Sequence, residues 1–230
     1  MTAPQRTATT GVLLTPTPPT PTPPTPTPQC STLVTVVVLA GGQSRRFGSD
    51  KLAAPVAGAT VLDSLLSSLP THWPVVSVGP ERRVCRSVTW TREDPPGGGP
   101  LAGIAAGVAL VDTDCTLVVA GDMPWAGPAC VTAVQTLVGT PAVAAAFVRD
   151  RTGHVNPLLA AYRTDALRHA LPIPAHDRPA KLLLALPHVE VVVTGRAAAD
   201  VDTPADLAAA DVDTPADLHA GDDDTRPGPA

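Results

Sequence analysis

The sequence predicts an α/β domain of three layers, in which helices cover both faces of a mainly parallel sheet. Runs of β-branched residues such as residues 34–38 are typical of strands buried on both faces. These runs alternate with segments whose apolar residues recur at helical spacing. Glycine-rich or acidic turns follow two of the strongest runs, and sheets of this class collect ligands at the carboxyl ends of their strands.

Strands are predicted where a short apolar run rich in β-branched residues is bounded by turn residues. The run at residues 115–120 is among the clearest, because it stops abruptly at Gly121 and Asp122. The predicted strands are residues 34–38, 75–78, 87–91, 115–120, 142–148, 155–161 and 189–193.

Helices are predicted between these strands. Residues 61–69 have Asp63 in the first turn and stop before Pro70, and an alanine-rich helix follows the glycines at residues 97–99. The predicted helices are residues 61–69, 101–111, 128–138, 164–170 and 179–186. The alternation of strands and helices therefore indicates a three-layer, Rossmann-like fold over residues 34–207.

Both ends of the chain differ from this domain. Residues 1–33 contain a threonine–proline alternation with no apolar face to bury, so we expect a disordered, polyproline-like tail. Near the other end, ADVDTPADL at residues 199–207 recurs unchanged at residues 210–218. Thr-Pro-x-Asp is typical of a helix start with threonine as the cap, and only one copy is expected to work in the domain. Residues 208–230 are predicted to be a duplicated, disordered acidic tail.

The composition excludes several classes of protein. The net charge is −5, but residues 1–198 carry fifteen basic and twelve acidic side chains, a balance too weakly positive to predict nucleic-acid binding. No apolar run is long enough to predict a transmembrane helix, and no signal-peptide pattern is present, so no membrane partner is expected. The four cysteines are widely spaced, which predicts no zinc site and a cytoplasmic protein.

Residues 39–51, LAGGQSRRFGSDK, are predicted to bind phosphate after the first strand. Gly41 and Gly42 let the backbone approach an anion closely, and Arg46 and Lys51 supply positive charge. The spacing matches neither the Walker A pattern nor the dinucleotide GxGxxG pattern, which disfavours a hydride-transferring enzyme. Only two of the sixteen basic residues are lysines, and one of them stands at the end of this loop.

Asp122, in the turn Gly-Asp-Met-Pro after the strand at residues 115–120, is a candidate ligand for Mg²⁺. This ion prefers hard oxygen ligands and is usually held by one or two carboxylates together with substrate phosphates. The alternative is a structural turn residue or helix cap. Asp94 is a candidate contact to the nucleotide, because it precedes the glycines that open a helix, whose amino end attracts anions. The alternative is a turn residue before two prolines.

The signature LAGGQSRRFGSDK closely resembles LAGGxSxRMGxDK of the molybdenum cofactor guanylyltransferases, within the larger nucleotidyltransferase family. Phe47 stands where methionine is usual. The resemblance covers residues 34–207 and implies transfer of GMP from GTP to molybdenum-molybdopterin, with release of pyrophosphate and with Mg²⁺ as cofactor. It also implies GTP and molybdenum-molybdopterin as partners, with molybdenum-insertion or molybdoenzyme-maturation proteins as further candidates.

The resemblance assigns roles to individual residues. Ser77 stands where the family often has an asparagine near the base, and the aspartates of Asp200-Val201-Asp202 replace two asparagines in a loop that borders the active site. Carboxylates there would add a metal ligand or repel the pterin phosphate. The implied catalytic residues are Lys51, Arg46 and Asp122, and the implied metal ligand is Asp122. The implied substrate loop contains Asp200 and Asp202. The implied nucleotide-binding residues are Leu39, Ala40, Gly41, Gly42, Lys51, Ser77, Asp94 and Asp122.

Two other functions stay open. The first is a related nucleotidyltransferase with another base or acceptor, such as a molybdopterin cytidylyltransferase or a phospholactate guanylyltransferase. Cytidylyl relatives typically have LAAG where this chain has LAGG, which favours guanine. The second is a non-catalytic nucleotide-binding module, which the presence of both Lys51 and Asp122 disfavours.

Overall fold

The computed structural model describes residues 33–42, 50–150, 152–201, 203 and 206. Arg46, Asp202 and the second copy of the repeat lie outside the described residues, and so do the two predicted tails apart from Leu33. The predicted limits of the domain therefore stay predictions.

Seven strands form one sheet in the order β5-β4-β1-β6-β8-β7-β9, and two short strands form a separate hairpin. The strands are β1 Val34–Leu39, β2 Pro55–Val56, β3 Ala59–Thr60, β4 Val75–Val78, β5 Thr89–Thr91, β6 Cys115–Ala120, β7 Ala145–Arg149, β8 Val155–Arg163 and β9 His188–Val192. All neighbouring pairs of the large sheet are parallel except those that include β8, which is antiparallel to β6 and to β7. The prediction of a mainly parallel sheet is confirmed, and every predicted strand is present.

Four α-helices connect the strands: α1 Val61–Ser68, α2 Gly99–Val108, α3 Gly127–Gly139 and α4 Thr164–Ala170. The helix predicted at residues 101–111 begins two residues earlier, with Pro100 in its first turn, and ends three residues earlier. The helix predicted at residues 179–186 is a 3-10 helix, Ala180–Ala185. Two further 3-10 helices, Lys51–Ala53 and Gly195–Ala198, were not predicted. No helix in the described part of the chain has the length and apolar character that crossing a membrane requires.

Both faces of strand β1 are buried. Val36 and Val38 belong to the core that contains the apolar residues of α1 and α3. Val37 belongs to the core on the other face, with Leu101 and Ile104 of α2. Helices therefore pack on both faces of the sheet, as the sequence predicts.

The ends of α1 are closed by specific hydrogen bonds. Thr60 caps the amino end: its hydroxyl accepts from the Asp63 amide at 3.0 Å and donates to the Asp63 carboxylate at 2.9 Å. At the other end, the Arg86 guanidinium donates to five backbone carbonyls of α1 and the turn that follows it. Those carbonyls belong to Leu66, Leu69, Pro70, Thr71 and Trp73.

Helix α2 lies very close to β1 and β4. A Cβ atom at Gly107 would be 2.5 Å from a methyl of Val37 and 3.0 Å from a methyl of Val78. At Gly103 it would be 3.2 Å from a methyl of Leu39. Glycine at these positions lets α2 pack closely against both strands, at whose carboxyl ends the candidate site lies.

Candidate active site

A cavity of about 470 Å³ lies at the carboxyl ends of β1, β4 and β6. Its walls come from the residues that end these strands, the segment between β5 and α2, and one residue of β8. The lining residues are Leu39, Gly41, Gly42, Val78, Glu93, Gly97, Gly99, Pro100, Gly103, Ala120, Asp122 and Leu158. Four of the predicted nucleotide-binding residues are on this wall: Leu39, Gly41, Gly42 and Asp122.

Gly121 determines how Asp122 reaches the cavity. Its amide donates to the Leu39 carbonyl at 3.0 Å, which continues the pairing of β6 with β1 past the last residue of the strand. A Cβ atom at Gly121 would be 3.0 Å from that same carbonyl oxygen, tighter than most Cβ contacts. Glycine therefore allows the turn to lie against the end of β1, and the next residue is delivered beside the loop that follows β1.

Lys51 and Asp122 form an ion pair, with the Lys51 ammonium donating to Oδ2 of Asp122. Each side chain is 19% exposed. Lys51 begins the 3-10 helix, and Asp50 caps that helix by accepting from the Leu52 amide at 3.2 Å. The structure thus brings together a cation and a carboxylate that are 71 residues apart in sequence.

The second carboxylate oxygen of Asp122 has a different environment. Oδ1 is buried and has no hydrogen-bond partner among the described residues. A buried carboxylate oxygen without a partner is costly, and a bound cation is one way to satisfy it. Within the described chain no group of three or more histidine, cysteine, aspartate or glutamate side chains is placed to hold a metal. A metal bound here would therefore need oxygens from substrate or water as well, which is the usual coordination of Mg²⁺.

Arg82 contacts this site from the segment after β4, and the sequence analysis did not single it out. Its guanidinium donates to both oxygens of Asp50, at 2.9 and 3.3 Å, and to the carbonyl of Ala40 at 3.0 Å. The hydrogen bond and the positive charge of Arg82 hold the pKa of Asp50 below its ordinary value, although partial burial opposes this shift. The predicted nucleotide-binding residue Ala40 is fully buried and offers its carbonyl to Arg82.

Ser77 and Val78 show which face of β4 meets the cavity. Ser77 is paired with Val38, whose side chain packs on the face of α1 and α3. Successive side chains of a strand point to opposite faces, so Val78 faces α2 and lines the cavity while Ser77 does not. The Ser77 hydroxyl is buried without a hydrogen-bond partner among the described residues.

After β5, too, the cavity is lined by the residue next to the predicted one. Asp94 is exposed and is not a lining residue, whereas the adjacent Glu93 is on the cavity wall. The Glu93 carboxylate accepts from the Gly97 amide at 3.0 Å, which orients it toward the segment that opens α2. The structure thus places Glu93, rather than Asp94, against the cavity.

The first copy of the repeat contacts the site through its backbone. The amide of Val201, a fully buried residue, donates to the Asp122 carbonyl at 2.9 Å. Asp200 is exposed, and its neighbour Asp202 is outside the described residues. Thr203 and Asp206 make reciprocal hydrogen bonds of 2.7 to 3.3 Å, the arrangement that Thr-Pro-x-Asp predicts for a helix start.

Comparison with known proteins identifies the family of the chain. Residues 36–199 match the family described as the MobA-like NTP transferase domain. The chain is 34% identical over 195 residues to a molybdenum cofactor guanylyltransferase of Mesorhizobium japonicum, which covers 75% of this chain and 91% of the relative. It is 31% identical over 143 residues to a probable molybdenum cofactor guanylyltransferase of Chloroflexus aggregans, which covers 59% of this chain and 68% of the relative.

Solved structures share the fold. The molybdopterin-guanine dinucleotide biosynthesis protein A of Archaeoglobus fulgidus superposes with a TM-score of 0.59 at 22% identity, over 76% of this chain and 96% of that one. A Mycobacterium tuberculosis protein solved in complex with manganese superposes with a TM-score of 0.57 at 19% identity, over 80% of this chain and all of that one. The chain is a nucleotidyltransferase that belongs to the MobA-like NTP transferase family.

Proposed function

We propose that this enzyme transfers the GMP moiety of GTP to the terminal phosphate of molybdenum-molybdopterin and releases pyrophosphate. The observation that carries the proposal is the juxtaposition of Lys51 and Asp122 at a cavity whose wall includes Gly41 and Gly42. The relatives that match over most of their length are named molybdenum cofactor guanylyltransferases, which supports this choice of base and acceptor.

The residues of the chain act by binding and orienting the two substrates. The backbone at Gly41 and Gly42 lines the cavity, and a Cβ atom at Gly42 would meet no described residue within 4 Å. Lys51 pairs with Asp122, which lines the same cavity, and supplies a positive charge to the triphosphate. An oxygen of the pterin phosphate attacks the α-phosphorus of GTP, and the bond from that phosphorus to the departing pyrophosphate breaks. This step requires alignment and charge neutralisation rather than a protein nucleophile.

We propose Mg²⁺ as the metal that accompanies GTP. Oδ1 of Asp122, buried and without a hydrogen-bond partner in the described chain, is the oxygen that would hold it. When bound there, the ion would neutralise negative charge on the phosphates as a Lewis acid. The manganese complex of the M. tuberculosis protein with the same fold supports a divalent cation in general.

Glu93 supports guanine as the base. Guanine presents hydrogen-bond donors on its N1 and N2 edge, and an ionised carboxylate is a pure acceptor. Glu93 follows β5 and Asp122 follows β6, three strands away in the sheet, which corresponds to about 14 Å at the usual strand spacing. A guanosine phosphate in extended form spans a comparable length, so its phosphate would lie at Asp122 and its base at Glu93, between the apolar walls of Val78 and Pro100.

We also propose that the enzyme acts in the cytoplasm. Its product would pass there to proteins that insert the finished cofactor into molybdoenzymes.

Pyrophosphate release with each of the four nucleoside triphosphates, with and without molybdopterin, tests the proposed function. We expect release with GTP only when the acceptor and a divalent cation are both present, and formation of the guanine dinucleotide in equal amount. Turnover of CTP in place of GTP would make the protein a cytidylyltransferase. Turnover of GTP only with another phosphorylated acceptor would contradict molybdopterin as the acceptor. If no nucleotide were turned over, the proposal that the protein catalyses this reaction would be wrong.

A further inference from the structure

Arg82 connects the two points of the chain that flank residues 41–49. Ala40 precedes this segment at the end of β1, and Asp50 follows it directly before Lys51. Nε and Nη2 of Arg82 donate to Oδ2 and Oδ1 of Asp50, at 2.9 and 3.3 Å. Nη1 donates to the Ala40 carbonyl at 3.0 Å and to the Pro80 carbonyl at 2.9 Å. One side chain therefore holds both ends of the phosphate-binding segment.

The backbone before Arg82 is built for this approach. Gly79 has a φ of +150°, and a Cβ atom there would be 2.5 Å from the Ala40 carbonyl oxygen. Glycine thus allows the chain leaving β4 to pass directly beside the end of β1. The side chain of Arg82 then reaches back to the Ala40 carbonyl and is only 18% exposed.

A planar guanidinium is required by these contacts. It can donate to a carboxylate with two parallel N–H groups and to backbone carbonyls with the remaining nitrogen. An ammonium group presents all its donors from one nitrogen atom, so it cannot give two parallel N–H bonds to a carboxylate and also reach the two carbonyls from a further nitrogen. The hydrogen bond from Arg82 is also the largest cause of the lowered pKa of Asp50, which keeps that carboxylate ionised as a partner.

The contacts of Arg82 continue to the proposed chemistry. Asp50 caps the 3-10 helix by accepting from the Leu52 amide, and its own carbonyl accepts from the Ala53 amide at 3.1 Å. Lys51 is the first residue of that helix and pairs with Asp122. Fixing the Asp50 carboxylate therefore fixes the start of the 3-10 helix from which the Lys51 side chain reaches Asp122.

We propose that Arg82 is a positioning residue for the phosphate-binding site: through Asp50 and the Ala40 carbonyl it sets the placement of Lys51 relative to Asp122. Arg82 itself does not line the cavity. The proposal rests on the proposed function for the role of Lys51 toward GTP, but the placement of Lys51 can be measured without any substrate.

The first test is amide hydrogen exchange in the full-length protein. In Arg82→Ala we expect the Leu52 and Ala53 amides to exchange about tenfold faster or more, because Asp50 loses the partner that holds it as a cap. Arg82→Lys should give an intermediate rate. Arg86→Ala is the matched control: it removes an arginine that also donates to backbone carbonyls, but at the end of α1. It should leave these two amides unchanged.

The second test is a double-mutant cycle on the reaction with GTP. Arg82→Ala and Asp50→Ala should each lower kcat/KM for GTP by about 10- to 100-fold, since a small displacement of a catalytic group has effects of this size. The double variant should be no slower than the slower single variant, because both substitutions interrupt the same connection. If the losses of kcat/KM in the two single variants multiplied in the double variant, Arg82 and Asp50 would act independently, which would contradict the proposal.

The two tests separate this proposal from the proposed function. If the wild type uses GTP while Arg82→Ala keeps kcat/KM within twofold and leaves the exchange rates unchanged, the proposal is wrong and the function stands. If exchange quickens as expected but the wild type does not use GTP, the positioning role stands and the function fails. If Arg82→Ala does not fold, both measurements are made on Arg82→Lys instead. Failure of both variants to fold would make Arg82 a residue for stability and overturn the proposal.

Discussion

Lys51 and Asp122 are the residues on which the proposed reaction depends most directly. Their ion pair places the ammonium beside a carboxylate that lines the cavity. A triphosphate at Gly41 and Gly42 would offer Lys51 phosphate oxygens as further partners. The pair thus keeps two partly buried charges satisfied and close to where the nucleotide would enter.

Replacing either residue should abolish most of the activity. We expect Lys51→Ala and Asp122→Ala each to lower kcat for pyrophosphate release from GTP by about 100-fold or more, the usual effect of removing one group that stabilises charge in a transition state. Lys181→Ala and Asp112→Ala are matched controls, because both side chains are exposed and neither lines the cavity. Activity like that of the wild type in either site variant would contradict the assigned role.

Glu93 permits a prediction about the choice of base. Glu93→Gln replaces one carboxylate oxygen by an NH₂ donor, which would face the donors of guanine. We expect kcat/KM for GTP to fall by about tenfold or more, in line with the ~1–3 kcal/mol that a good bidentate base contact contributes. The preference for GTP over ATP should fall in parallel. Glu81→Gln, an exposed control, should change neither value, and an unchanged preference in Glu93→Gln would remove Glu93 from base recognition.

Sequence reasoning identified some of these residues and missed others for physical reasons. Gly41, Gly42 and Asp122 could be predicted because the carboxyl ends of parallel strands meet at one edge of a sheet. Val78 and Glu93 could not, since a shift of one residue along a strand or turn exchanges the side chain that faces the cavity. Arg82 gave no local signal, because its partner Asp50 is 32 residues away.

At the scale of elements, the close packing of α2 on the sheet is the feature that shapes the cavity wall. Val37 and Val78 are β-branched and stiff, so they cannot move away from a new atom at Gly107. In the interior of a helix, alanine is more favourable than glycine by up to about 1 kcal/mol. The clash at 2.5 Å should outweigh that gain.

We therefore expect Gly107→Ala to lower the free energy of unfolding in urea by about 1–3 kcal/mol, the usual cost of overpacking a core. Gly139→Ala is the control, because a Cβ atom at this last residue of α3 would meet nothing within 4 Å. It should leave the stability unchanged or raise it slightly. Equal stability of the two variants would show that α2 can move outward, and it would contradict the close packing of α2 on β1 and β4.

The elements also show where a sequence pattern is sufficient. Alternating strands and helices predicted the layers, but not that β8 runs antiparallel. The signal was the connection of five residues between β7 and β8, since a parallel crossover needs a dozen or more. The hairpin of β2 and β3 gave no such signal: its turn places Ala57 at a φ of 48°, where glycine or asparagine would be expected.

At the scale of the whole molecule, the duplicated acidic segment raises the question of which copy serves the site. The first copy contributes Val201, which is fully buried and hydrogen-bonded to the backbone of Asp122. Its Thr203 and Asp206 form the reciprocal cap that starts a helix. The composition of the second copy is the same, so only its position in the chain distinguishes the two.

We propose that the first copy is the working one, and that residues 210–230 are dispensable for nucleotidyl transfer. Deleting them removes six aspartates and one arginine but no described contact of the cavity. We expect kcat and KM for GTP to stay within about twofold of the wild type, because no described contact of the cavity is lost. In the full-length chain, Val201→Asp should lower activity strongly, since it places a charge in a buried position beside Asp122. If the deletion abolished activity while Val201→Asp had no effect, the second copy would be the one that borders the site, and the contact between Val201 and Asp122 would have no role in the reaction.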